Sequence, residues 1–280
     1  AVPPGMRAGT TMTESFGARL AAATAQRGRL CVGLDPHERI VRDWGLAHDA
    51  AGIETMARRA VEALGEQVAV FKPQSAFFEV FGPAGLAALQ RVLGDIAQAG
   101  ALSILDVKRG DIGSTMDAYA RATLADGAPL AADSITVSPY LGFESLRPAV
   151  DLAHGTGRGL FVLCRTSNPE GGDVQLADAG GRSVAQRVLD AARAENDRTG
   201  LDDIGLVIGA TRESAGIDLA GFTGWVLAPG IGAQGGTVES LAGIFGDAVD
   251  RVLPSASRGV LRAGPDPAAL RDAASALVLR

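Results

Sequence analysis

Short runs of apolar and β-branched residues recur along the chain. Each is followed by a polar or glycine-containing turn and then by a longer stretch, rich in Ala, Leu and Arg, whose apolar positions fall at helical spacing. The runs predict strands at 30–35, 68–73, 102–108, 135–139, 159–167, 204–210, 225–229 and 251–257. The stretches between them predict helices, among them 52–64, 84–98, 115–124, 183–194 and 237–245. The strands are apolar at nearly every position rather than at alternate ones, the pattern of a sheet covered on both faces. Eight βα units without a break in composition predict a single-domain (β/α)8 TIM barrel, with a doubly wound sheet as the structural alternative.

In such a barrel the C-terminal ends of the strands form the catalytic face. Standing there are Asp35, Lys72, Asp106 with Lys108, Ser138, Ser167, Thr211, and Ser257 with Arg258. Charged groups at buried strand ends cost free energy unless they pair or bind something, so their concentration here points to a site.

Composition narrows what that site can be. At 280 residues and 47% hydrophobic the chain can bury a core of this size. A net charge of −6 argues against a nucleic-acid or anionic-membrane surface, so an anionic ligand must meet a few local cations. Apolar runs such as 160–163 fall far short of the roughly 20 residues of a membrane span. Cys31 and Cys164 lie inside apolar runs and read as free thiols of a protein in the reducing cytoplasm. The three histidines, His37, His48 and His154, are far apart and lack zinc-site spacing, and no GxSxG marks a serine nucleophile. Residues 1–11, rich in Pro, Gly and Thr, are expected to be a disordered leader or a cloning remnant, with Met12 as the beginning and 12–280 as the folded domain.

Two segments carry the chemistry. In DVKRGD at 106–111, directly after an apolar run, an extended strand places Asp106 and Lys108 on one face, with the ammonium near Asp106 and within possible reach of Asp111. Carboxylates so placed hold a lysine protonated. Elsewhere the same pattern would read as a surface salt-bridge cluster. GIGAQG at 230–235 fits GxGxxG, but a dinucleotide fingerprint opens the first βαβ unit and is followed by an acidic strand end. Here six strands precede the one it follows, and Ser257 and Arg258 come after it. Loops after strands seven and eight of a TIM barrel commonly hold phosphate, and we read a monophosphate site, the alternative being a tight turn.

With CVGLDPH at 31–37, FKPQSAFFE at 71–79, DVKRGDIGST at 106–115, SPYLG at 138–142, TSNP at 166–169 and APGIGAQGG at 228–236, the chain resembles the orotidine 5′-phosphate decarboxylases, specifically the longer bacterial type found in mycobacteria and their relatives. The resemblance runs from about Met12 to the C-terminus. It implies cofactor-free conversion of orotidine 5′-monophosphate to UMP. Lys108 would protonate the carbon that loses CO2, and Asp106 would sit beside the departing carboxylate. Asp35 and Lys72 would bind ribose hydroxyls, with Gln74 nearby. Asp111, Ile112 and Thr115 would reach the neighbouring subunit's site in a homodimer. Thr166 and Ser167 would address the pyrimidine, although Ser138 is open as a base contact or as a turn former before Pro139. Pro229, Gln234, Ser257 and Arg258 would meet the closing loop or the phosphate.

Two rivals stand beside this reading. One is a magnesium-dependent sugar-phosphate decarboxylase or aldolase that shares the DxKxxD pattern. Such relatives place an acidic metal ligand where Lys72 stands, and an ammonium cannot ligate Mg2+. The other is a catalytically silent nucleotide-binding module, against which the intact Asp106, Lys108 and Asp111 speak.

Overall fold

A computed structural model describes residues 14–210, 214–231, 237 and 239–279. The proposed leader, Thr211 and Gln234 lie outside the described residues. The strands are β1 (Cys31–Leu34), β2 (Val70–Pro73), β3 (Leu102–Arg109), β4 (Ser134–Val137), β5 (Gly159–Arg165), β6 (Ile204–Ile208), β7 (Val226–Pro229) and β8 (Val252–Ala256). They pair in sequence order, all parallel, and β8 closes on β1. The architecture is the (β/α)8 barrel, not the doubly wound sheet.

The period-two alternation of the strands sorts their side chains into two cores. Outward-facing Val32, Phe71, Leu105, Ile135, Val162, Leu206, Val226 and Val252 join the apolar layer under the helices. Inward-facing Cys31, Val70, Ile104, Phe161, Val207, Leu227 and Leu253 fill the barrel. One pleat repeat beyond Val70 and Ile104 come Lys72 and Asp106, so the same face that is apolar low in the barrel turns polar at its C-terminal mouth. A helix not anticipated from the pattern, Phe16–Arg27, plugs the opposite end: Phe16 and Leu20 join the inner core, with Phe16 edge-on to Phe161 at 6.0 Å. Its N-terminus is held by the Asp203 carboxylate, which accepts from the Gly17 N–H at 2.8 Å.

The expected helices appear as Ala50–Leu64, Gly82–Gln98, Gly113–Leu124 and Val184–Thr199, the last ending at Thr199 rather than at 194. Asp49 and Ser183 cap the first and last by accepting from Gly52 and Gln186 N–H groups. The helix expected at 237–245 begins instead at Ser240, because Thr237 and Ser240 exchange side-chain bonds that define a turn before it. Five strands, β1, β4, β5, β6 and β8, are shorter at their C-terminal ends than expected. Ser138 and Pro139 lie past β4, Thr166 and Ser167 past β5, and Ser257 past β8, all of them in the loops that surround the mouth.

Candidate active site

The mouth of the barrel is organised around one carboxylate. Asp106, buried at the end of β3, accepts four hydrogen bonds. Its Oδ1 receives Lys108 Nζ at 2.6 Å and Thr136 Oγ1 at 2.8 Å, and its Oδ2 receives Lys72 Nζ and Gln74 Nε2, each at 2.8 Å. A carboxylate offers about four lone-pair sites, so its acceptor capacity is used up and its orientation is fixed. Burial by itself would favour the neutral acid, but the two ammonium groups and their hydrogen bonds outweigh it and hold Asp106 well below the ordinary carboxylate range. Lys72 shows the mirror effect. Its burial disfavours charge, yet Asp106 and Asp35, the latter at 3.9 Å, keep it charged above the usual lysine range.

The two lysines are otherwise unlike. The Lys72 side chain is 8% exposed and lies between two carboxylates, whereas that of Lys108 is 46% exposed and, among the described residues, pairs with Asp106 alone. Asp111, considered from sequence as a second partner for Lys108, instead accepts the Ile112 N–H at 2.8 Å and stands at the rim.

Nor is the chain at Lys108 a regular strand, as the sequence suggested. Beside it β3 advances from Leu105 to Arg109 while β4 advances only from Ile135 to Val137, so two residues of β3 are extruded as a bulge. Lys108 takes φ +46°, in the left-handed region, which costs a residue with a side chain about 1–3 kcal/mol. Its N–H leaves the ladder and donates to Thr136 Oγ1 at 2.9 Å. Just beyond, Gly110 is required because a Cβ there would lie 2.3 Å from the Ser138 carbonyl oxygen.

On the β1–β8 side, Ser257 follows β8 and faces Gly33. A Cβ at Gly33 would stand 2.8 Å from that of Ser257, so glycine is what lets Ser257 approach Asp35. Asp35 Oδ1 and Ser257 Oγ are buried, with no hydrogen-bond partner among the described residues. Such atoms are normally satisfied, and here a ligand hydroxyl would donate to Asp35 Oδ1 and a phosphate oxygen would accept from Ser257 Oγ. Arg258 follows, half-buried and in no ion pair among the described residues. Beside β2 and β3 a cavity of about 360 Å3 touches Gln74, Phe77, Asp106 and Lys108. A larger cleft of about 1010 Å3 opens at the opposite end of the barrel, but its Arg27 is engaged by main-chain carbonyls, its Arg29 by a main-chain carbonyl and Asp250, and its Arg251 by Asp202.

Comparison with known proteins is decisive at this point. A model of the orotidine 5′-phosphate decarboxylase / HUMPS family matches residues 28–273. The chain belongs to the orotidine 5′-phosphate decarboxylase / HUMPS family. It is 54% identical over 263 residues to the orotidine 5′-phosphate decarboxylase of Streptomyces coelicolor, covering 93% of this chain and 95% of that one. To the enzyme of that name from Salinispora arenicola it is 55% identical, with the same coverage. Among solved structures, one from Streptomyces avermitilis superposes with TM-score 0.92 at 53% identity, over 98% of this chain and 97% of that one. That of Leishmania donovani OMP decarboxylase superposes with TM-score 0.77 at 36% identity, over 94% and 96%.

In this member of the orotidine 5′-phosphate decarboxylase / HUMPS family, Asp35, Lys72, Gln74, Asp106 and Lys108 come together in one network. Asp111, exposed Ile112 (62%) and Thr115 form a separate outward group at the start of helix Gly113–Leu124. Thr166 and Ser167 follow β5, where Gln175 receives the Thr166 N–H at 3.0 Å and donates to its hydroxyl at 2.7 Å. Pro229 ends β7. Sequence reasoning missed Thr136 and Gln175, and it did not anticipate the bond that Gln74 donates to Asp106. It also passed over a compositional signal. Of the 26 cationic lysines and arginines, only Lys72 and Lys108 are lysines. Arginine serves this chain wherever a fixed positive charge suffices, and an ammonium stands only in the site, where a compact charge able to release a proton is useful.

Proposed function

We propose that the protein removes CO2 from orotidine 5′-monophosphate to give UMP, the last step of de novo pyrimidine synthesis in the cytoplasm, with Lys108 donating the proton to C6. The observation that carries this reading is the Lys72–Asp106–Lys108 triplet. Loss of CO2 leaves an electron pair in the plane of the pyrimidine, where the ring cannot delocalise it, and the protein must supply the compensating charge. Lys108, charged and held by Asp106, provides that field and then a proton.

Asp106 has a second part. With four donors fixing it and its acidity strengthened, it cannot take up a proton to accommodate a substrate carboxylate. At 4 Å and an effective dielectric near 20 the two anions repel by about 4 kcal/mol, and departure of CO2 relieves the repulsion. Lys72 and Asp35 would bind ribose hydroxyls, and Thr166 and Ser167 the pyrimidine edge. Pro229, Gln234, Ser257 and Arg258 would meet the closing loop or the phosphate, whose binding energy, far from C6, can drive loop closure and desolvation. Gln74 would orient Asp106 rather than touch substrate. Asp111, Ile112 and Thr115 would complete the neighbouring site in a homodimer, a role supported by their outward position and by the exposed Tyr140 and Leu141.

The rival reading is a sugar-phosphate decarboxylase or aldolase that uses Mg2+. Lys72 at the end of β2, an ammonium in ion-pair contact with both Asp35 and Asp106, is incompatible with a divalent cation on those carboxylates. Loss of absorbance as orotidine 5′-monophosphate is converted, measured after exhaustive chelation, separates the two. The proposal expects undiminished turnover, and activity that disappears with EDTA and returns with Mg2+ would overturn it.

A further inference from the structure

We propose that Thr136 is a positioning residue for the reaction, its hydroxyl being the clamp that holds Lys108 in its strained conformation against Asp106. The inference rests on Lys108 as proton donor and adds a residue that touches no substrate. Thr136 lies on β4 opposite the bulge, between the positions at which the β3–β4 register is broken and restored. Its Oγ1 donates to Asp106 Oδ1 at 2.8 Å and accepts the Lys108 N–H at 2.9 Å. One hydroxyl therefore joins the carboxylate that orients the ammonium to the backbone that carries it. Bulging takes the Lys108 N–H out of the sheet ladder, and an amide that loses its acceptor is disfavoured, so the hydroxyl that supplies one supports φ +46° at a lysine. Thr136 itself is 1% exposed, which fixes the hydroxyl between its two partners. Serine retains both hydrogen bonds, whereas valine retains the shape and loses both.

The test compares the parent protein with Thr136→Val and Thr136→Ser. Turnover is measured on orotidine 5′-monophosphate and affinity on UMP. The lysines are observed directly by NMR on protein carrying 13Cε-lysine, which gives only two lysine signals because Lys72 and Lys108 are the only lysines. A displacement of about 1 Å at a reacting group can cost roughly a hundredfold, so Thr136→Val is expected to lose kcat on that scale with KM and UMP affinity within about twofold. Its Lys108 signal should shift or broaden while that of Lys72 stays, and Thr136→Ser should recover kcat to within about threefold of the parent. Parent-like turnover and an unmoved Lys108 signal in Thr136→Val would overturn the proposal, as would a serine variant no better than valine. If the valine methyl prevents folding, Thr136→Ala removes the same hydroxyl without bulk and carries the same expectations. Should the parent fail to turn over orotidine 5′-monophosphate, the functional reading falls, while the Lys108 signal still decides whether Thr136 holds the lysine.

Discussion

The two lysines of the site should separate stability from chemistry when each is replaced by methionine, which keeps the apolar stem and removes the charge. At an effective dielectric near 20, Lys72 has about 6 kcal/mol of gross attraction to Asp106 at 2.8 Å and about 4 kcal/mol to Asp35 at 3.9 Å. Burying the ammonium offsets much of this. Removing one member of a buried pair nevertheless costs about 3–5 kcal/mol, because the carboxylate left behind is uncompensated. For a domain of this size each kcal/mol lowers Tm by about 2–4 °C, so Lys72→Met should melt about 10 °C below the parent. Lys108 is nearly half exposed and its ion pair is screened by solvent, so Lys108→Met should cost at most about 1 kcal/mol. Its kcat should fall by about 10²–10⁴-fold, the contribution of a positioned proton donor. Calorimetry or dye-monitored melting gives the first quantity and loss of substrate absorbance the second. Equal destabilisation by the two substitutions, or parent-like turnover in Lys108→Met, would refute the division of labour.

Other outcomes follow from the same geometry. Arg258→Ala should weaken binding and turnover of the phosphorylated nucleotide far more than of its nucleoside, and equal losses on both would make Arg258 structural. Lys108→Ala and Asp111→Ala should each be nearly inactive, yet a mixture that exchanges subunits should regain about a quarter of its sites, since a mixed two-fold dimer has one site with both groups intact. Demonstrated exchange without recovery would confine Asp111 to its own chain. Burial pushes the pKa of Asp203 up from the ordinary carboxylate range, against the opposing effects of the Gly17 N–H, His154, Ser15 and Arg19. A carboxyl with a raised folded value stabilises most below its unfolded value, near 3.9, and this stabilisation is lost as pH rises through the folded value. Asp203→Asn should therefore melt above the parent at pH 8 and not at pH 3, and the reverse order would contradict the assignment.

Much of this was legible before any coordinates. The barrel follows from the βα rhythm, and the composition of the site follows from the polar residues that interrupt each apolar run at its end. Asp35, Lys72, Asp106 and Lys108 were named for that reason, and parallel closure of β1 through β3 with β8 is enough to bring them to one mouth. The bulge was not legible. A strand's sequence does not state its register against a neighbour, so nothing in DVKRGD distinguishes an extended Lys108 from one at φ +46°. For the same reason nothing in the sequence marks Thr136, or shows that Gln74 donates to Asp106. The long sequence separation of Asp203 and Gly17 likewise concealed how the N-terminal helix is attached. The confinement of lysine to positions 72 and 108 was in plain view and needed only lysine and arginine to be counted apart.

The central claim is tested most directly with orotidine 5′-monophosphate labelled with 13C in the carboxylate, incubated with chelator-treated parent protein and with Lys108→Ala, while NMR follows the label and the pyrimidine C6–H. The account predicts that the parent moves the label into CO2 and bicarbonate in step with the appearance of the UMP C6–H. It also predicts that Lys108→Ala, folded and still binding UMP, does neither at a comparable rate. Substrate left intact by the folded parent protein, or equal conversion by Lys108→Ala, would contradict it.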